Sequence, residues 1–346
     1  MELELKNISV TLSDKKILKS INLEVKNGEF ISLLGASGCG KSTLLKTIAG
    51  LINQDEGSVV LGGNIVDKTP AHKRRTVIVF QDLRLFPHMT VAENISFPLK
   101  MLGMDKNKRR EEAINLLEKV RLEGYADKHV DKMSGGQIQR VALARALAAK
   151  PMVLLLDESF SSLDINLRKD MQELVLELQR EYKITTILVT HDQEEALTMS
   201  DRIAFMHDGR IEQYDTPENI FKNPINTTVA DYFSKGTYIR GKVINNKFIS
   251  KLFSSNVDKE NGKYKCLIRP SAIKINKFRN GEYGEYIVAG KIYRGDSYLL
   301  KLNNTDSDLK LESIVPDFTA IIEGDRVNIE LDRDKLIFIP EKQACL

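Results

Sequence analysis

The sequence predicts an α/β domain built on a mostly parallel sheet and carrying a helical insertion, followed by a small all-β module. Three observations lead there. Short apolar runs at residues 30–34, 77–80, 152–156 and 184–189 are bounded by polar residues, the pattern of strands buried on both faces. Helical patterns at 43–49, 108–120, 135–149 and 167–181 separate these runs, which is the α/β alternation. After about Lys235 the pattern becomes short alternating runs divided by Gly, Asn and Asp, the signature of a β module.

Taken in order, residues 1–6 alternate like a strand and lack the apolar core of a signal peptide. The run at 30–34 enters a glycine-rich turn and then the helix at 43–49, which ends near Gly50. The run at 77–80 ends at Gln81. From about Val91 to Lys150 strand signals stop and three helical patterns follow one another; the insertion is placed at about 83–150. The run at 152–156 ends at Asp157 and Glu158, and that at 184–189 at Thr190 and His191. Thr216-Pro217-Glu218 opens a further helix, with Thr216 as N-cap and Pro217 at the first helical position. Runs at 238–245, 263–268, 286–293, 326–331 and 336–339 suit a five- or six-stranded barrel. The expected domains are therefore 1–235 and 236–346.

Composition agrees. A chain of 346 residues, 42% hydrophobic and 29% charged, suits two globular domains. The net charge of +3 offers no basic field for nucleic acid, so no nucleic-acid partner is expected. No apolar run approaches the roughly 20 residues of a membrane helix. Cys39, Cys266 and Cys345 have neither metal spacing nor a disulfide pattern. The expected location is cytosolic unless a partner holds the chain at a membrane.

The chemistry lies at the strand ends, because ligands of open α/β sheets bind beyond the carboxyl ends of the strands. Gly35, Ala36, Ser37, Gly38, Cys39, Gly40, Lys41 and Ser42 form a phosphate-binding loop. Its glycines let backbone N–H groups approach phosphate oxygens, and the following helix N-terminus adds positive potential. Lys41 supplies charge to the outer phosphates, and the Ser42 hydroxyl is a Mg²⁺ ligand. Asp157 suits the carboxylate that holds Mg²⁺, and Glu158 is placed to polarise an attacking water. Gln81 would reach the metal or that water, and His191 a γ-phosphate oxygen. Ser134, Gly135, Gly136 and Gln137 open the helix at 135–149, with Ser134 as N-cap, and make a second anion site.

With these motifs in order over about residues 3–235, the chain resembles the ATP-binding-cassette ATPases. The Walker A loop is 35–42, the Q-loop glutamine Gln81, and the signature begins at Met133. Walker B ends at Asp157, the D-loop is Ser162-Leu163-Asp164, and His191 is the switch histidine. The resemblance implies ATP and Mg²⁺ as cofactors, with Thr43 and Leu12 joining the nucleotide-binding set and Ser42, Gln81 and Asp157 the metal set. It also implies a head-to-tail homodimer, in which ATP on one Walker A loop is capped by Ser134 and Gly136 of the other copy. Residues 86–94, Phe-Pro-His-Met-Thr-Val-Ala-Glu-Asn, are similar to importer ATPases that receive a permease helix there, so transmembrane permease subunits are expected on the 81–94 region. An external solute-binding protein would act indirectly, and the chain would sit on the cytoplasmic side of the membrane.

The tail, with Leu267-Ile268-Arg269-Pro270, is similar to the OB-type (TOBE) regulatory domain of ferric-iron, polyamine, sulfate and sugar importers. Residues 236–241 lean toward the ferric-iron and polyamine types; sulfate, phosphonate or sugar uptake is the alternative. A soluble cassette ATPase acting on nucleic acid or the ribosome is the competing class, but this chain has neither a second cassette nor a long coiled-coil insertion.

Three positions depart from the family pattern. Leu12 stands where an aromatic ring usually stacks on adenine, with Ile17 near to help cover the base. Met133 replaces the signature leucine, a volume-conserving exchange. Ser159 follows Glu158 where proline is usual, which suggests a less rigid turn.

Overall fold

The computed structural model describes residues 1–161, 163–277 and 284–341. Ser162 of the expected D-loop and Cys345 lie outside them. The chain divides into two compact units, Met1–Pro217 and Glu218–Leu346.

The first unit opens with a hairpin of β1 (Leu3–Leu12) and β2 (Lys15–Val25), turned at Ser13 and Asp14, both with positive φ. There follow β3 (Phe30–Leu34), α1 (Lys41–Ile48), β4 (Glu56–Leu61), β5 (Asn64–Ile65) and β6 (Thr76–Val79). The helical insertion is α2 (Val91–Met101), α3 (Lys106–Lys119) and α4 (Gly135–Ala148). The chain returns through β7 (Val153–Asp157), α5 (Ile165–Tyr182), β8 (Thr185–Thr190), α6 (Gln193–Met199), β9 (Arg202–His207) and β10 (Arg210–Asp215). One sheet runs β2-β1-β4-β5 and is antiparallel; the central sheet runs β10-β9-β3-β8-β7-β6, parallel throughout except for β10 at its edge.

The continuous apolar runs are explained by two cores on the two faces of the central sheet. Because successive strand residues point to opposite faces, Ile31, Leu33, Val153, Leu155, Ile187 and Val189 join a core with α1 and the antiparallel sheet. Phe30, Leu154, Leu156 and Leu188 face the other way, into a core with the insertion helices and α5. Most positions are therefore apolar, with Ser32, Thr185 and Thr186 as buried polar exceptions. Beyond the start of β1, the antiparallel sheet and β9–β10 were not legible in the sequence, because register shifts between β1 and β2 and between β9 and β10 break the period of two.

Among the described residues, the second unit adds α7 (Pro217–Lys222), α8 (Thr227–Phe233) and ten strands: β11 (Thr237–Ile244), β12 (Lys247–Ser250), β13 (Ser254–Asn256), β14 (Gly262–Ile268), β15 (Ile273–Lys277), β16 (Tyr286–Tyr293), β17 (Ser297–Asn304), β18 (Lys310–Pro316), β19 (Arg326–Leu331) and β20 (Ile337–Pro340). They form two five-stranded sheets, β13-β12-β11-β14-β20 and β15-β19-β16-β17-β18. This corrects the expected five or six strands. Among the unread strands, β12, β13 and β15 are short and β18 carries a polar residue at an inward position: Ser313 is fully buried, its hydroxyl donating to the Ile273 carbonyl at 2.9 Å.

The division after Pro217 also differs from the boundary expected at 235. Helix α8 belongs to the β unit because buried Ala230 joins Leu267, Ile337 and Ile339, and Asp231 accepts from the Tyr238 hydroxyl at 2.7 Å. Helix α7 is held by Arg269, which is buried, stacks 3.7 Å from the centroid of the Phe221 ring and donates to the Phe221 carbonyl at 2.9 Å. Burial pushes the Arg269 guanidinium down to about 10. Arg269→Ala is expected to destabilise the second unit by about 2–4 kcal/mol, from the lost stacking and charged hydrogen bond. Chemical denaturation followed by tyrosine fluorescence checks this.

Candidate functional site

Four neighbouring strands deliver the site. In the order β3-β8-β7-β6, Leu34 pairs with Thr190, Asp157 with Val189, and Val79 with Leu156. The carboxyl ends of these strands therefore lie side by side, and the residues that leave them are Gly35, His191, Glu158 and, two residues beyond Val79, Gln81.

The glycine loop connects β3 to α1, whose first-turn N–H groups have no partner within the helix. At Gly35 the backbone of β9 comes so near that a Cβ would stand 2.2 Å from the Met206 carbonyl oxygen. At Gly38, by contrast, φ is +80° and nothing lies within 4 Å of a Cβ position, which leaves open space over the loop. Ala36 and Cys39 close a turn, Cys39 N–H donating to the Ala36 carbonyl at 3.3 Å. Lys41 is only 5% exposed, and its ammonium donates to the Gly35 and Ala36 carbonyls at 2.7 and 3.0 Å. Burial pushes the Cys39 thiol up, against the opposing charge of Lys41, so the thiol form is favoured.

The Ser42 hydroxyl donates to Asp157 Oδ1 at 3.0 Å. Burial raises the Asp157 carboxyl above its ordinary range, partly offset by that hydrogen bond, and the neighbouring Glu158 charge raises it further. A hydroxyl and a half-buried carboxylate in contact are hard oxygen donors of the type a small divalent cation takes. Ser37 is exposed on the loop, and Thr43 accepts the Thr47 hydroxyl through its carbonyl at 2.9 Å.

Glu158 has φ +48°, a left-handed conformation that is costly for a residue with a side chain and marks over-determined sites. Its N–H donates to the Val189 carbonyl at 3.0 Å, fastening it to β8. Its Oε2 lies 3.6 Å from His191 Nδ1, the His191 side chain being 61% exposed and that of Glu158 30%. Gln81 reaches the same turn through Ser161: its Nε2 donates to Ser161 Oγ at 3.2 Å, and that hydroxyl donates to the Glu158 carbonyl at 2.9 Å. Ser161 was missed in the sequence, where nothing distinguishes it from any loop serine. Ser159 does not loosen the turn. It is buried, its hydroxyl donates to the Val79 carbonyl at 3.3 Å, and its own carbonyl accepts from Gln139 Nε2 of α4 at 2.9 Å.

The remaining residues sit apart from this cluster. Leu12 ends β1 at the hairpin, 39% exposed, and the hairpin's second strand approaches the loop where Leu18 and Ile17 line Gly40. Ser134 caps α4 in a reciprocal box: Gln137 N–H donates to Ser134 Oγ at 3.4 Å, and Ser134 N–H donates to Gln137 Oε1 at 3.1 Å. Gln137 also donates to the Tyr125 hydroxyl at 3.2 Å, so its side chain orients the helix start. Ser134 and Gly135 are exposed, whereas Gly136 is buried against Leu167, whose side chain would meet an added Cβ at 2.5 Å. Asp164 caps α5, accepting from Leu167 N–H at 3.0 Å. In the 81–94 region, fully buried Asn94 accepts from Phe86 N–H and donates to the carbonyls of Phe86, Met89 and Thr90. That leaves Asp82, Arg84, Pro87 and His88 exposed around a fixed loop.

A model of the ABC transporter family matches residues 18–161. Among solved structures, the chain is similar to cbiO1 from Clostridium perfringens, part of the ABC transporter complex cbiONQ, with 31% identity over 63% of this chain and 90% of that one, and a TM-score of 0.60. It is also similar to the ATP-binding cassette MJ0796, in a dimeric post-hydrolysis state with ADP and Pi and in a dimeric structure described as a bacterial ABC transporter cassette. Each match has 34% identity over 62% of this chain and 98% of that one, with a TM-score of 0.56.

Proposed function

Because the chain belongs to the ABC transporter family and is an ATPase of that type, we propose that it powers solute import as a head-to-tail homodimer docked on a membrane permease. The observation that carries the reading is the row of strand ends: loop, histidine, carboxylates and glutamine leave consecutive strands of one sheet at one edge.

In this reading Lys41, the loop amides and the α1 N-terminus bind the phosphates of ATP in the space above Gly38. Ser42, Gln81 and Asp157 would hold Mg²⁺, which when bound would supply charge neutralisation to the phosphates. Glu158 orients the attacking water in line with the γ-phosphorus and takes its proton, while His191 donates to a γ-phosphate oxygen. Little covalent work falls to the protein, so positioning and fixed charge supply most of the acceleration.

Ser134, the N-cap of α4, and Gly135 are both exposed, which supports the composite site: the partner's Walker A loop would receive them, and Asp164 would lie at the same seam. The dimers of MJ0796 are consistent with such a pair. Residues 81–94 would meet the permease, holding the protein at the cytoplasmic face of the membrane. The second unit would act as an OB-type regulatory domain, with ferric iron or a polyamine favoured as solute by residues 236–241 and sulfate, phosphonate or sugar as alternatives. Co-purification with a membrane permease tests the transport reading, and recovery of RNA in its place would overturn it.

The composite site has its own test. Ser134→Glu keeps a residue that suits a helix N-terminus but sets a carboxylate against the γ-phosphate. The variant alone is expected to lose turnover. An equal mixture with Lys41→Ala should regain about a quarter of wild-type turnover, because hybrid dimers contain one intact site. Wild-type turnover by the Ser134→Glu protein alone would exclude the composite site.

A further inference from the structure

We propose that Arg168 is a positioning residue for Glu158 and His191, tying the loop after β7 to the turn after β8 so that the two side chains keep their separation. The inference rests on the reading of those two residues given above.

Arg168 lies one turn into α5, and its guanidinium spans two elements. Nη2 donates to the Leu163 carbonyl at 3.1 Å, and Nη1 lies 3.4 Å from Asp192 Oδ2. Leu163 is tied back toward Glu158: its N–H donates to the Phe160 carbonyl, and Ser161 N–H donates to the Glu158 carbonyl. Asp192 directly follows His191. Its Oδ1 caps α6 through the N–H groups of Glu194 and Glu195, at 2.8 and 3.3 Å, which leaves Oδ2 to Arg168.

The same turn is gripped a second time. Asp192 N–H donates to Thr190 Oγ1 at 2.9 Å, and that hydroxyl donates to Glu195 at 2.6 Å. Glu195 is buried and accepts from Gln172 Nε2 at 3.2 Å, one turn beyond Arg168 on α5. Helix α5 thus holds both sides of the Glu158–His191 gap, one through a carbonyl and the other through a cap and a buried carboxylate.

Two observations separate positioning from plain stabilisation. The Arg168–Asp192 pair is partly exposed, with side chains 29% and 33% accessible, so solvent screens its attraction and it adds little to stability. Among the described residues, Arg168 Nε is buried without a hydrogen-bond partner, an arrangement that a contact serving stability alone disfavours. The planar guanidinium presents Nη1 and Nη2 to acceptors on two different elements in one fixed fork, a geometry that the single-point ammonium of a lysine does not reproduce.

The experiment uses the full chain with ATP and Mg²⁺. Arg168→Lys and Asp192→Asn, the latter keeping a residue that caps helices well, are each expected to lower kcat about tenfold or more while KM for ATP stays within about twofold. Both should displace the ¹⁵N signals of the His191 imidazole, assigned by their loss in His191→Ala. Unchanged kcat in both variants, or lowered kcat with unmoved His191 signals, would overturn the proposal. The parent reading fails separately: if His191→Ala retains full turnover, His191 has no catalytic part and the positioning role falls with it. If His191→Ala loses turnover and the two variants do not, only the positioning role falls.

Discussion

Glu158→Gln is expected to lower ATP turnover by about 10²–10⁴-fold while ATP still binds, the scale of a lost general base. The exchange keeps shape and removes only the proton acceptor. Backbone bonds hold the position: the Glu158 N–H is given to Val189 and its carbonyl accepts Ser161 Oγ, so the left-handed conformation survives the substitution. The carboxylate lies beside His191 at 3.6 Å, and the amide would sit in the same place without taking a proton. Single-turnover hydrolysis and nucleotide-binding titrations separate the two steps. Wild-type turnover would remove Glu158 from its role, and loss of binding would mean that the substitution had disturbed the loop.

Gly35→Ala is expected to reduce kcat/KM by about 10²-fold, because moving a phosphate loop by about 1 Å costs that much in positioning. The added Cβ would stand 2.2 Å from the Met206 carbonyl oxygen and 3.0 Å from Cys39 Sγ. The nearer neighbour is the backbone of β9, paired in parallel with β3, so it cannot swing aside as a side chain would. Overpacking of this kind costs about 1–3 kcal/mol, and the melting temperature should fall as well. Gly38→Ala is the control. No atom lies within 4 Å of its Cβ position, so any loss beyond the mild strain of φ +80° reports the space that a phosphate takes. Wild-type kcat/KM in Gly35→Ala would show that the loop tolerates displacement.

Much of the site was legible because its chemistry follows its strands. A run of four to six mostly apolar residues between helical patterns reads as a strand covered on both faces, and the polar residue that ends it emerges at the sheet edge; Gly35, Gln81, Asp157 and His191 were placed by that rule. The ties between them were not. Ser161 between Gln81 and Glu158, Gln139 beneath Ser159, and Arg168 against Asp192 are ordinary polar residues in polar surroundings. Their partners lie 20 to 80 residues away in the chain, and no local period encodes such pairs.

The same distinction separates the two units. By itself the sequence determined the parallel strands, the glycine loop that joins one of them to a helix, the cap at Ser134 and the change of character toward the tail, since each depends on residue types within a short window. Tertiary structure alone decided the order β10-β9-β3-β8-β7-β6 that aligns the strand ends, the burial of Gly136 against Leu167, and the pairing of the second unit's described strands into two sheets. It also assigned α8 to that unit through Ala230, a residue whose burial depends on Leu267, Ile337 and Ile339. The physical reason is one of range. Hydrophobic period and capping act over a few residues and can be read along the chain, whereas register, close approach and side-chain ties depend on which distant segment arrives alongside.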